Sequence, residues 1–342
     1  VRLFVQSARR ARVGFSLSTT HEAVTRICRL VDGAPLAIEL AAAWLKVLTA
    51  DQVAAELERS LDILTARHQN APARHRSMRA VCESSWQLLA QPLREMMQRL
   101  ALHRGGFRRE TAAAVAGASL FDLATLVEKS LLRQADNGRY EMHELLRQYA
   151  LEQLAQHGQA GEERRRHAAY YLRFLQERGG ALAGAAQRQA LEVLAEEQEN
   201  LHAAWQAAVE AQQWELVADA LAALHEFFQV RSSYWEGQAL LVMAANGLAA
   251  SGAAAPDEPA RMDEQGTSTG APLRTPRAED GLALLARLHA RQGAFAFHLG
   301  RYSAAVDLAA ASLAQARRLN LPADAAFALC LLGQIAGWRG ER

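Results

Sequence analysis

Apolar positions recur at steps of three and four along most of the chain, the period of an amphipathic helix. Val24, Ile27, Cys28 and Val31 share one face behind Thr19-x-x-Glu22, a capping box in which hydroxyl and carboxylate each satisfy an end-of-helix N–H. Asp32-Gly33 stops that helix, and Pro35 opens the next, which is expected to run through Leu36, Ile38 and Leu40 to Leu48. A second box, Thr49-x-x-Gln52, starts a short helix with Val53 and Leu57 turned inward.

The layout changes after residue 77. Met78, Val81, Cys82, Trp86 and Leu89 form one helical face, and Leu93, Met96, Met97, Leu100 and Ala101 form the next after Pro92. Gly105-Gly106 ends that helix and two short helices follow. Leu131 to Gln134 and Arg139 to Met142 are short β-prone runs on either side of Asp136-Asn137-Gly138, a hairpin signal. Helices followed by one hairpin outline a winged helix, and the chain re-enters a helix at His143.

From Arg164 onward the sequence reads as helix after helix. Leu191, Leu194, Gln198, Leu201 and Trp205 keep the period, as do the spans 214–230 and 235–248. Residues 250–280 hold Ala, Pro, Gly, Ser, Thr and acids without periodic apolar positions, which predicts a disordered insertion. Gly293 and Gly300-Arg-Tyr-Ser-Ala-Ala305 then match the small-residue layout of a tetratricopeptide unit. A second copy starts at Leu332-Gly333 and breaks off, so the unit is expected to be truncated. Val1 in place of Met likewise suggests a start inside a longer protein. The expected fold is mainly α: a helical domain over 1–66, a winged-helix domain with one hairpin over 77–157, a helical repeat arm over 164–249, the insertion, and an α-solenoid of tetratricopeptide-like helix pairs over 281–342.

Composition narrows the chemistry. The 342 residues carry a formal charge of +1, which excludes a general polyanion binder. The basic stretch 67–79 around Pro72 has four Arg, two His and no acid, but lacks aromatic platforms, so it reads as a solvated linker. Cys28, Cys82 and Cys330 stand far apart, which excludes a disulfide framework and a zinc site and fits a cytoplasmic protein. No run of about 18 apolar residues predicts a membrane span. Trp205, Trp214 and Trp235 read as helix-packing anchors, and Glu196, Glu197 and Glu199 as a solvated acidic face.

Two motifs carry a family resemblance. The run Cys28-Arg-Leu-Val-Asp-Gly33-Ala34-Pro35-Leu36-Ala37 resembles the Gly-x-Pro-Leu-Ala motif behind the nucleotide-binding core of NB-ARC and related STAND signalling ATPases. Tyr140-Glu-Met-His143-Glu144-Leu-Leu-Arg-Gln-Tyr-Ala150 resembles that family's Met-His-Asp motif, with Glu144 in place of the Asp. The order, with a repeat arm following, is similar to bacterial STAND transcriptional regulators. The resemblance implies a switch in which ADP holds the domains closed, and a protein or small-molecule inducer on the repeat arm lets ATP replace it. His143 would then hydrogen-bond the β-phosphate, with Pro35 and Gly33 near the adenine. Activation would bring self-association, and DNA would be reached through an output domain outside this chain. No Gly-x-x-x-x-Gly-Lys-[Ser/Thr] occurs here, so ADP or ATP is expected only with a nucleotide-binding domain that this chain lacks, and no catalysis or metal is expected. Two other readings stay open: a winged helix that docks on DNA directly, and a tetratricopeptide scaffold without nucleotide.

Overall fold

The computed structural model describes residues 1–11, 15–17, 20–31, 33–59, 78–156, 158–252 and 276–340. Thr19, Asp32, the basic stretch up to residue 77 and, of the insertion expected over 250–280, residues 253–275 therefore lie outside the described residues; its two ends fall in helices that close at Ala250 and open at Pro276. The fold is mainly α, with one two-stranded sheet among the described residues, and the chain divides into two compact units, 1–163 and 164–342.

The first unit opens with α1 (Arg2–Ala11), α2 (His21–Leu30), α3 (Pro35–Ala43) and α4 (Ala50–Arg59), with α1 packed on α3 and α2 on α4. Val24, Ile27, Val31, Val53 and Leu57 are buried at their centre, on the faces expected from the periodicity, and Phe4 and Ala41 are buried with them. The Thr49–Gln52 box forms: Thr49 N–H donates to Gln52 Oε1 (2.9 Å), and Gln52 N–H donates to Thr49 Oγ1 (3.2 Å). Helix α3 stops at Ala43, short of Leu48, because residues 44–46 tighten into a 3-10 turn that drives Leu45 into the core.

Further along come α5 (Met78–Gln87), α6 (Gln91–Leu100), α7 (Arg109–Ala116) and α8 (Leu120–Glu128), then β1 (Leu132–Gln134), β2 (Tyr140–Met142) and α9 (Glu144–Gln156). Three helices and a hairpin thus follow α5 as the sequence predicted. The capping box that starts α8, Ser119 with Asp122, is one the sequence reading passed over. The hairpin closes through a turn in which Gly138 N–H donates to Ala135 O (2.9 Å) and Ala135 N–H to Arg139 O (2.8 Å). Gly138 alone takes positive φ (+79°), so Asn137 contributes through its side chain, accepting from Arg139 N–H at 3.1 Å.

A third segment joins that sheet. Phe107 and Tyr140 exchange both backbone bonds (2.9 and 2.8 Å) as an isolated antiparallel bridge. This approach depends on Gly106, whose φ is +81° and whose added Cβ would lie 2.7 Å from Tyr140 O. Gly106→Ala is therefore expected to destabilise the first unit by roughly 2–3 kcal/mol in thermal unfolding. Gly117→Ala is the matched control, with the same handedness (φ +71°) and nothing within 4 Å. It should cost only about 1 kcal/mol, and equal losses would refute the steric explanation.

The second unit holds all but the first turn of α10 (Ala160–Gly179), then α11 (Gln187–Glu196), α12 (Gln198–Glu210), α13 (Trp214–Val230), α14 (Tyr234–Ala250), α15 (Pro276–His298), α16 (Tyr302–Arg318) and α17 (Pro322–Arg339). Neighbouring helices pack in chain order from α11 to α17, and α13 also meets α15, and α15 meets α17, as a solenoid requires. The Gly293 reading holds: a Cβ there would sit 3.2 Å from Ala305 O and 3.1 Å from Leu331 Cδ2. At the corresponding Gly333 nothing lies within 4 Å.

Two sequence expectations fail in this unit. The periodic run 191–205 spans α11 and α12, which meet at Glu197, the residue expected on a solvated acidic face. That residue is 3% exposed, accepts from Asn200 Nδ2 (2.7 Å) and from the Tyr171 hydroxyl (3.3 Å), and so is no part of a solvated face. Trp235 is 62% exposed with the Arg301 guanidinium stacked over it at 4.1 Å, so it does not anchor packing.

Candidate functional site

The loop-to-helix corner after β2 places His143. Its Nδ1 accepts from Leu145 N–H (3.1 Å), and its carbonyl accepts from Arg147 N–H (2.9 Å), so His143 is the N-cap of α9. With the Nδ1 lone pair used in this way, the neutral ring carries its proton on Nε2, an assignment made from the bonding pattern. The ring is half-buried and held in one orientation by the helix that it caps.

Glu144 occupies the first helical position, where a carboxylate is favoured by the helix dipole. It accepts two bonds from Arg147, at Nε and Nη2 (2.8 Å each), and a third from Gln148 Nε2 (3.2 Å). Burial pushes its carboxyl up, but Arg147, with Gln148 and Arg104, outweighs that and holds it below the ordinary carboxylate value. Arg147 also donates to Ala101 O (3.2 Å), tying the first turn of α9 to the end of α6. The longer Glu thus bonds within its own helix, and Arg147 makes the interhelix link.

Arg139 completes the corner and was not foreseen. It is buried, and its Nη2 donates to Gly106 O (3.0 Å) and Gly105 O (3.3 Å), pinning the loop beneath the hairpin. His103 lies close by, with Nδ1 donating to Leu100 O (3.0 Å) and the ring 4.8 Å from Phe107. Burial pushes its pKa down to about 4, with Leu100 O opposing and Arg139 adding to the shift. An Arg between Gly138 and Tyr140 offers no periodic signal, which is why sequence reasoning missed it.

The other two residues assigned from the sequence sit at the α2–α3 turn. Gly33 has φ +70°, donates to Cys28 O (2.9 Å) and has open space where a Cβ would be, so glycine is required by dihedral and not by room. Pro35 is the first residue of α3, with its ring exposed. Helix α3 packs on α1, whereas α9 packs on α6 and α5. Both elements border one continuous core of the first unit.

The position expected for a DNA-reading helix is α8. Its exposed side chains include Leu120 (58%) and Phe121 (85%), with Glu128 near its end. Among the described residues no single helix is long and apolar enough to cross a membrane; the bent pair α7–α8 is apolar in composition but buries Ala112, Val115, Leu123 and Leu126 within the unit.

No protein-family model matches the chain. It is 36% identical over 182 residues to proteins provisionally named HTH-type transcriptional regulators in Mycobacterium bovis and Mycobacterium tuberculosis, covering 50% of this chain and 20% of theirs. It is also 36% identical over 172 residues to an uncharacterized protein of Mycobacterium tuberculosis, covering 47% of this chain and 44% of that one. The chain spans about a fifth of the length of the regulators that it matches. Among solved structures it is similar to a STAND protein with a tetratricopeptide repeat sensor from Pyrococcus horikoshii, over 99% of this chain and 50% of that one. Identity there is 14% and the TM-score 0.28, a value too low to carry the fold by itself.

Proposed function

We propose that this chain is the regulatory middle and the start of the sensor arm of a nucleotide-switched, STAND-type transcriptional regulator. What supports the reading is the place of His143: one residue past a hairpin, capping the helix that follows, in a run that resembles the Met-His-Asp motif. The regulator names of the 36% identical mycobacterial relatives agree with the class. In this reading Nε2–H donates to the β-phosphate of ADP held by a nucleotide-binding domain of the longer protein, with the Gly33–Pro35 turn near the base. Arg147 and Glu144 keep the cap from drifting when the domains separate. The repeat helices receive the inducer.

The magnitude is sufficient. One charge-assisted hydrogen bond contributes roughly 1.5–3 kcal/mol, enough to shift a two-state domain equilibrium more than tenfold. His143→Leu in the full-length parent should therefore raise inducer-free reporter output about tenfold and weaken ADP binding by a similar factor. Unchanged output and ADP affinity would leave the scaffold reading in possession. Direct DNA binding is disfavoured by the apolar surface of α8 around Phe121, since a recognition helix relies on cations and polar groups. A mobility-shift assay of this chain on mixed duplex DNA is expected to show no tight, salt-sensitive complex; such a complex would favour the DNA reading.

A further inference from the structure

We propose that the face shared by α13, α15 and α17 is a recognition site for a small aromatic monocarboxylate, with Arg291 as the group that receives the anion. This deepens the sensor role proposed above and rests on that reading for its biological sense.

The observation is a cation without a counter-ion. Arg291 on α15 is half-buried, and its one hydrogen bond among the described residues is a long one, Nη1 to Arg287 O at 3.3 Å. A guanidinium has five N–H donors, so most of its capacity is unused. The nearest acid is committed elsewhere: Asp324 on α17 accepts from Arg287 Nε at 3.0 Å. Buried charges are ordinarily paired, because desolvation is otherwise uncompensated. Burial lowers the Arg291 pKa, Asp324 opposes that and Arg287 adds to it.

The neighbours define the ligand. The Arg291 guanidinium lies 5.3 Å from the centroid of Phe327, which is itself half-buried. His225 on α13 stacks on Phe295 at 4.8 Å and meets Phe327 edge-on at 6.1 Å. Its Nε2 is buried without a protein partner. One helical turn on, Gln229 donates Nε2–H to His298 Nε2 (2.8 Å), while its Oε1 is likewise buried and unpartnered. An unpaired guanidinium, orphaned polar atoms and the half-buried ring of Phe327 therefore lie on the alternate helices α13, α15 and α17, where a ligand would find both charge and π-face.

Charge fixes the valence. Arg287 and Asp324 cancel. His225 is neutral at pH 7, since burial, then Arg291 and His298, push its pKa down to about 4. His298 is lowered as well, by burial. One positive charge remains, and a carboxylate, a planar monoanion, matches a guanidinium in a two-bond geometry that inorganic phosphate overfills in charge.

The test uses this chain with benzoate as probe, and benzamide and inorganic phosphate as the neutral and non-aromatic comparisons. Benzoate is expected to raise the thermal midpoint with concentration, and the other two are not. Arg291→Met keeps the stem and removes the charge, and it should weaken benzoate binding at least tenfold by titration calorimetry. Should that variant fail to fold by circular dichroism, Arg287→Gln is read in its place; it frees Asp324 to neutralise Arg291 and is expected to weaken benzoate to a similar extent. No benzoate-dependent shift in the unaltered chain, an equal shift with benzamide or phosphate, or undiminished binding by the folded variant would each overturn the proposal. These results are independent of the His143→Leu phenotype, so the site and the nucleotide switch can fail separately.

Discussion

Trp205→Ala is expected to cost the second unit roughly 4–6 kcal/mol, a large part of the total stability of an ordinary domain. Trp205 on α12 is fully buried, among the largest side chains so placed, and its Nε1–H donates to Leu240 O on α14 at 2.9 Å. Truncation removes the transfer free energy of an indole and leaves a cavity between α12, α13 and α14, which accounts for about 3–5 kcal/mol. Loss of the hydrogen bond adds about 1 kcal/mol. Trp205→Phe separates the parts, because it keeps an aromatic ring and loses the N–H; about 1–2 kcal/mol is expected. Urea unfolding followed by circular dichroism measures both. A loss under 1 kcal/mol for the alanine variant would mean that α12 and α14 do not depend on this anchor.

Acid is expected to destabilise both units between about pH 6.5 and pH 4. His103 in the first unit and His225 in the second each have a pKa pushed down to about 4, mainly by burial. The unfolded chain, with histidines near the usual 6.5, binds protons over that interval while the folded chain does not. Stability is therefore fully present above about pH 6.5 and falls as pH drops toward 4, below which both states are protonated. Each histidine contributes about 3 kcal/mol over the interval, taken from about 2.5 pH units at 1.36 kcal/mol each. His225→Phe, whose ring can occupy the stack on Phe295, should flatten the acid limb of the second unit by about that amount while the first unit keeps its own. An acid limb unchanged by His225→Phe would show that the folded-state ring is not held neutral.

Much of the first unit was legible because its signals are local. The Thr49–Gln52 box, the positive φ of Gly33, the Pro35 start of α3 and the α9 start after His143 each depend on a handful of adjacent residues. Such signals survive without knowledge of what packs against them. The hairpin was legible in place but not in form, since turn type depends on how Gly138 and the Asn137 side chain divide the work. The candidate site was half legible. His143 could be picked out by motif, whereas Arg139 and Arg147 act through carbonyls 33 or more positions away in the chain.

In the second unit, the failures share a cause. Periodicity identifies which face of a helix is apolar but not which neighbour meets it. The sequence itself determined the mainly helical architecture, the hairpin at 132–142, the break between blocks near residue 164 and the close helix approach at Gly293, because period and glycine dihedral are properties of short stretches of chain. Tertiary structure alone decided that Glu197 is buried, that Trp235 faces solvent beneath Arg301, and that Asp324 is taken by Arg287 so that Arg291 is left unpaired. The reason is that burial and charge pairing depend on distances between helices far apart in sequence. No local pattern encodes those distances.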